Sequence, residues 1–265
     1  MYGLDLFSGI GGITRALQEY VLPVAYVEKD AYCQGVLLSR MSDGSLPIAP
    51  IWDDITTLQS IQLPCGGIDI IYGGFPCQNI SVAGKGEGLE GKQSGLFYEA
   101  LRLVREIRPT FVFLENVPAI RSRGAGIVTA ELARLWYDCR WITLSASSIG
   151  ANHERKRWFL LAYTGTSRRR LWEESIKAWQ EATRGSEEMA NAATSQLHET
   201  RERNNIGRRS SNRFDDQGWW EIEPQVGRVV DGLPRRVDRI KSLGNSVVPQ
   251  QAKAAFEILM FGKSK

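Results

Sequence analysis

The feature that most constrains this chain lies near residue 5, where the apolar run Tyr2–Leu6 passes into the glycine turn Ser8-Gly9-Ile10-Gly11-Gly12 and then into a helical pattern holding Ile13, Ala16 and Leu17. A strand that turns sharply into a helix opens a strand–helix–strand unit, and such units build parallel sheets through crossover helices. The next 150 or so residues keep that rhythm. Val24–Val27, Ile68–Tyr72, Phe111–Leu114, Trp141–Ala146 and Arg157–Tyr163 read as further strands. Leu96, Ala100, Leu103, Val104 and Ile107 recur at helical spacing, as do Val128, Leu132, Leu135 and Trp136. The pattern predicts an α/β domain around a mostly parallel sheet.

With 43% hydrophobic and 24% charged residues in 265, the composition is that of a globular protein with one substantial core, and no apolar run is long enough to cross a bilayer. The first strand and turn leave no room for a secretory signal, so a cytoplasmic protein without a membrane partner is expected. The four cysteines, Cys33, Cys65, Cys77 and Cys139, lack paired CxxC spacing, which points to reduced thiols and no metal site. A net charge of +3 identifies no partner. The distribution of arginines is more telling: Arg168-Arg169-Arg170, Arg201, Arg203, Arg208-Arg209, Arg235-Arg236 and Arg239 gather late in the chain, either to neutralise phosphates along a groove or as a solvated surface.

After Tyr163 the alternation stops. Residues 165–230 are rich in Arg, Glu, Ser, Asn and Thr, poor in aliphatic residues, and carry the pair Trp219-Trp220. Such a stretch forms an extended loop, a small lobe or a partly disordered segment. Pro249 then suits the first turn of a helix, and Ala252, Ala255, Phe256, Leu259 and Met260 form one apolar stripe that needs a core to cover it. The expected organisation is a catalytic and cofactor-binding domain at 1–164, an insertion at 165–232, and a segment at 233–265 that returns to the first domain.

Two ends of the domain carry candidate chemistry. The glycine turn lets backbone approach a ligand while the helix behind it offers free N–H donors, although ordinary tight turns share this pattern. Glu28 ends the second apolar run, where an acidic side chain can accept from ribose hydroxyls, and Asp54 follows another short apolar segment as an acidic candidate or a turn cap. At the other end Gly73-Gly74-Phe75-Pro76-Cys77-Gln78-Asn79-Ile80-Ser81 sets a cysteine on a loop beyond a strand, where open α/β sheets bind ligands. Cys33, Cys65 and Cys139 read as small buried hydrophobes. Glu115-Asn116-Val117 follows the next strand; desolvation there would raise the carboxyl's proton affinity, as the acid partner of Cys77 requires, and a strand-end ion pair is the alternative. Arg155 and Arg157 stand two apart at a strand start, on one face, able to grip phosphate or to position a carboxylate.

In this order the motifs closely resemble the cytosine-5 DNA methyltransferase family over residues 2–163 and 233–261, and imply its Rossmann-like methyltransferase fold with a small target-recognition insertion. DLFSGIGG at 5–12 is similar to the family's cofactor motif, GGFPCQNIS at 73–81 to its nucleophile loop, ENV at 115–117 to its acid motif, and LGNSVVP at 243–249 to its closing motif. The resemblance implies S-adenosylmethionine as cofactor. It assigns Asp5, Phe7, Ser8, Gly9, Gly11, Gly12, Phe75 and Pro76 to the cofactor pocket. Glu28 would hold the ribose, Asp54 and Ile55 the adenine, Leu96 the methionine end, and Asn245 and Ser246 would complete the pocket. Cys77, Glu115, Arg155 and Arg157 would be catalytic. Gln78 and Ser81, with Arg208 and Arg209 of the insertion, would touch double-stranded DNA.

Cys77 would add to carbon 6 of a flipped-out cytosine while Glu115 supports ring nitrogen 3, so that carbon 5 can take the methyl group. A monomer acting beside a cognate restriction endonuclease fits this reading. One departure is Asn152-His153, where the family commonly has Pro-Gln before the two arginines. The competing readings are a cytosine methyltransferase acting on transfer RNA, a non-enzymatic DNA-binding relative, and a cysteine hydrolase; neither His153 nor His198 has an identifiable pairing with Cys77 that would favour the last.

Overall fold

The computed structural model describes residues 1–64, 67–76, 95–165 and 236–262. Strands β1 (Tyr2–Leu6), β2 (Leu22–Val27), β3 (Ile51–Trp52), β4 (Ile70–Gly74), β5 (Phe111–Asn116), β6 (Asp138–Leu144) and β7 (Arg157–Tyr163) form one sheet in the order β3-β2-β1-β4-β5-β7-β6. The first five pair in parallel, and β7 runs antiparallel between β5 and β6. The connection from β6 to β7 holds only a short turn of 3-10 helix at Ser147–Ile149, too little for a crossover helix, so β7 returns against its neighbours. After β1 the chain lays β2 and β3 to one side and then starts β4 on the other. The β1/β4 junction is thus the point where strand order reverses, and a crevice opens at the carboxyl ends there.

Helices α1 (Gly12–Leu17), α2 (Ala31–Ser42), α3 (Gly95–Ile107), α4 (Ile120–Arg123), α5 (Ala125–Arg134), α6 (Arg236–Asn245) and α7 (Pro249–Phe261) cover the faces. Phe97, Ala100, Leu103 and Val104 of α3 join Leu4, Leu6, Val27, Ile71, Val112 and Leu114 in one core cluster with Val128 and Leu132 of α5. Side chains alternate along β5, so Phe113 points to the opposite face, stacking on Phe159 at 5.9 Å and meeting Phe256 of α7 edge-on at 5.3 Å. The predicted α7 stripe, Ala252, Ala255, Phe256, Leu259 and Met260, is buried as a unit, with Pro249 in the first turn. Each large apolar side chain buried this way contributes about 1.5–3 kcal/mol. Residues 236–262 therefore pack in the same compact unit as residues 1–165.

Several boundaries differ from the sequence reading. β4 runs through Gly73 and Gly74, and Gly73 lets β1 approach it, since an added Cβ there would come within 2.0 Å of the Leu6 carbonyl oxygen. β5 extends through Glu115 and Asn116, which are strand residues and do not follow the strand. β6 starts three residues before Trp141. Trp136 lies beyond α5 at φ 67°, 83% exposed, so the predicted stripe ends at the helix end. Helices α2 and α6 carry weak apolar patterns: α2 is set by the Asp30 cap, which accepts from the backbone of Tyr32 and Cys33, and Val237 and Leu243 of α6 are exposed. Among the described residues no helix is long and apolar enough to cross a membrane.

Candidate active site

Side chains at the carboxyl ends of β1, β2, β4 and β5 meet residues of α6 and the turn after it around two adjoining cavities of about 290 and 680 Å³. The smaller is lined by Asp5, Phe7, Ser8, Gly9 and Gly12 from the first strand and turn, and by Asn245 and Ser246. The larger takes in Asp54, Ile55, Phe75, Pro76, Leu96 and Arg157. Phe7, Glu28, Gly74, Glu115 and Asn245 line both. Gly11 is set back: it caps α1 at φ 80°, and a Cβ there would run into Leu46.

Phe7 itself has φ 55°, a conformation that strains a bulky residue by about 1–3 kcal/mol and is held where the surroundings require it. Ser8 fastens the turn, its hydroxyl donating to the Asp5 carbonyl at 2.9 Å and accepting from Val27 N at 3.2 Å. Glu28 anchors it from the side: Gly9 N and Asp30 N each donate to its carboxylate at 2.7 Å. A carboxylate has about four lone-pair positions, so two remain for a ligand. Beneath the turn Thr14 donates to Asp5 Oδ2 at 2.6 Å and meets the Tyr72 hydroxyl at 2.9 Å. Burial pushes the Asp5 carboxyl up to about 8, and Oδ1 has no hydrogen-bond partner.

Asp54 realises the turn-cap alternative in part. It accepts from Thr56 N at 3.0 Å and pairs with Lys29 at 2.8 Å, contacts that pull its carboxyl down to about 2. Arg102 of α3 donates to the carbonyls of Ile55 and Leu58, tying the Asp54-Ile55 turn to the helix that begins at Gly95 and carries Leu96.

Glu115 sits in mid-sheet, between Gly74 of β4 and Phe159 of β7. Its carboxyl lies over Gly74, where an added Cβ would come within 2.7 Å of Oε2. Arg157 Nε donates to Oε1 at 2.9 Å, and both side chains are largely buried. Burial raises the carboxyl to about 7, against the opposing pull of Arg157 and Arg155, so near neutral pH both protonated and ionised forms are populated. Asn116 performs a task that the sequence reading missed. Buried beside Glu115, it donates from Nδ2 to the Phe75 carbonyl at 2.9 Å, fixing the chain two residues before Cys77.

Arg155 and Arg157 part company. While Arg157 holds Glu115, Arg155 donates to the carbonyls of Gly244 and Ser246, on either side of Asn245. Gln251 of α7 closes the knot from below, donating to the carbonyls of Leu144 and Arg155 at 2.9 and 2.8 Å. A polar residue at the edge of the apolar stripe was the only sequence signal for that contact. Lys241 of α6 reaches Asp30 at 3.1 Å across the smaller cavity's rim. Cys33 and Cys139 are free thiols, pushed by burial up to about 12 and about 11, which suits inert side chains. Cys65, Cys77, Gln78, Ser81, Arg208 and Arg209 lie outside the described residues, as does the insertion 165–232 apart from Gly165.

Residues 1–228 match the family described as C-5 cytosine-specific DNA methylase. The type II methyltransferase M.CviJI of Paramecium bursaria Chlorella virus IL3A is 39% identical over 160 residues, which are 60% of this chain and 42% of the viral protein. M.HhaI of Haemophilus parahaemolyticus is 33% identical over 165 residues, 60% of this chain and 48% of its own. A crystal structure of a prophage-encoded E. coli protein, named as a DNA modification methyltransferase, superposes with a TM-score of 0.51 at 26% identity, covering 62% of this chain and 47% of that one. The chain spans less than half the length of these relatives. With the family match extending over most of its residues, the chain belongs to the C-5 cytosine-specific DNA methylases.

Proposed function

We propose that this protein transfers a methyl group from S-adenosylmethionine to carbon 5 of cytosine in a specific sequence of double-stranded DNA. One observation carries the reading: Phe7, Glu28, Glu115 and Asn245, from four distant parts of a chain of this family, line the same two cavities. The cavities suit the cofactor chemically. Ile55 and Phe75 offer apolar walls for adenine, Leu96 one for the methionine end, Glu28 keeps acceptor capacity for ribose hydroxyls, and Asn245 borders both spaces. When bound, S-adenosylmethionine supplies a methyl group made electrophilic by its sulfonium.

The protein's part is to make carbon 5 nucleophilic. A flipped-out cytosine is taken into the site, and the Cys77 thiolate forms a bond to carbon 6. Glu115, held by Arg157 and protonated in part at neutral pH, supplies a hydrogen bond or proton to nitrogen 3 as charge builds there. Transfer of the methyl group to carbon 5 would release S-adenosylhomocysteine; loss of the carbon 5 proton to a solvent base, expulsion of the Cys77 thiolate and return of the nitrogen 3 proton to Glu115 would then restore the ring. Asn116 steadies the loop that bears Cys77, and Arg155 steadies the turn that bears Asn245. The insertion 165–232, with Arg208 and Arg209, selects the target. The reading extends to a monomeric cytoplasmic enzyme acting beside a cognate restriction endonuclease.

The test is incubation of the purified protein with methyl-labelled S-adenosylmethionine and genomic DNA, followed by bisulfite or nanopore mapping. Label at carbon 5 of cytosine within one recurring sequence supports the reading. Label on adenine, or only on transfer RNA, contradicts it.

A further inference from the structure

A second groove of about 550 Å³ lies beside the catalytic cavities. It is lined by Pro118, Arg121 and Ser122, by Gly126 and Thr129 of α5, and by Trp141 of β6. Val117, which lines the larger catalytic cavity, is bonded directly to Pro118, so the two spaces adjoin along the chain. Trp141 is 48% exposed in an edge strand, where a large aromatic ring gains little from burial. The Arg121 guanidinium lies over that ring, 5.5 Å from its centroid. A guanidinium held over an aromatic face keeps N–H donors that can receive a phosphate. Among the described residues neither Arg121 nor Arg123 has a carboxylate partner, and both are exposed. Among the described residues the groove thus offers the Arg121 cation and a flat ring, with no carboxylate in its lining and Arg123 two residues further along the chain.

We infer that this groove is a DNA-backbone seat: the target strand leaves the catalytic cavity over Pro118 and lays a phosphate against Arg121, with Trp141 fixing the guanidinium and Arg123 flanking it. The inference rests on the proposed DNA substrate and adds a contact outside both the catalytic residues and the insertion. Arg121 lies six residue steps after Glu115, at most about 20 Å of extended chain and less where α4 coils. The phosphate therefore belongs within roughly six nucleotide steps of the target base, at about 3.4 Å per step along a strand.

The test measures binding of the 265-residue chain to a fluorescent 30-base-pair duplex of random sequence over a series of salt concentrations. Arg121→Ala should weaken binding several-fold and lower the slope of log affinity against log salt by about one, the signature of one lost phosphate contact. Trp141→Ala should weaken binding less, and Arg121→Lys should fall between, because charge remains while the stacked plane is lost. Arg134→Ala, which alters an exposed arginine at the end of α5 outside the groove, should leave the slope unchanged. Wild-type affinity and salt slope retained in Arg121→Ala would overturn the seat while leaving the methyltransferase reading intact. Loss confined to a transfer-RNA probe would assign the groove to RNA and overturn it as well. A wild-type chain that binds no duplex would overturn the DNA reading and the seat together.

Discussion

Glu115 lies directly over Gly74, and at the level of single residues both yield measurable consequences. Because burial raises the folded-state carboxyl to about 7 from its ordinary 4.5, the folded protein holds a proton there that the unfolded chain has released. That contribution to stability is complete below about pH 4.5 and is lost as pH rises to about 7. Glu115→Gln should therefore flatten this part of the stability profile relative to wild type, as urea titrations from pH 5 to 8 would report. The same ionisation predicts that kcat/KM declines above about pH 7. A rate still rising through pH 9 would contradict a protonated Glu115 in the reaction. At Gly74 an alanine methyl would displace Oε2 of Glu115, and a displacement of that kind lowers kcat by about 100-fold while the fold persists. Single-turnover methylation by Gly74→Ala, checked by circular dichroism, measures it. The sequence exposed Glu115 through its motif. It could not reveal Asn116 as the clamp on Phe75, since an amide in a strand gives no sign of which carbonyl it will meet.

At the level of elements the C-terminal segment is the most instructive. Its apolar stripe made α7 legible, because 3.6-residue periodicity survives in sequence whatever the stripe packs against. Helices α2 and α6 were not legible: one buries a narrow stripe from a side-chain cap, and the other exposes its apolar residues. Likewise, two arginines two apart looked alike, yet Arg157 turns to a carboxylate while Arg155 turns to carbonyls almost 90 residues away in sequence. Removing those charge-assisted hydrogen bonds, about 1.5–3 kcal/mol each at most, should free the turn around Asn245. Arg155→Ala is thus expected to weaken S-adenosylmethionine binding tenfold or more by calorimetry, with a smaller effect on DNA affinity. Equal losses of both would count against a role confined to the cofactor pocket.

For the whole molecule, the alternation of strands and helices was enough to foresee an α/β sheet, whereas the antiparallel insertion of β7 between β5 and β6 depended on a connection too short for a helix. The reversal of strand order at β1/β4 explains why residues from the glycine turn, Glu28 and Glu115 gather at one end of the sheet. Under the proposed function, this scaffold supplies the chemistry and the insertion 165–232 the target choice. Exchanging residues 165–232 for the corresponding segment of a relative should change the methylated sequence and leave S-adenosylmethionine affinity within a few-fold, as mapping and calorimetry on the chimera would establish.

The most direct test of the central claim is a covalent trap. DNA carrying 5-fluorocytosine at the mapped target lacks the proton whose loss frees the enzyme, so with S-adenosylmethionine present, protein and DNA should remain joined through denaturing electrophoresis, and peptide mapping should locate the bond at Cys77. Cys77→Ala should abolish the adduct and methylation, while folded Cys33→Ala and Cys139→Ala retain both. An adduct on another cysteine, or full methylation by Cys77→Ala, would contradict the mechanism.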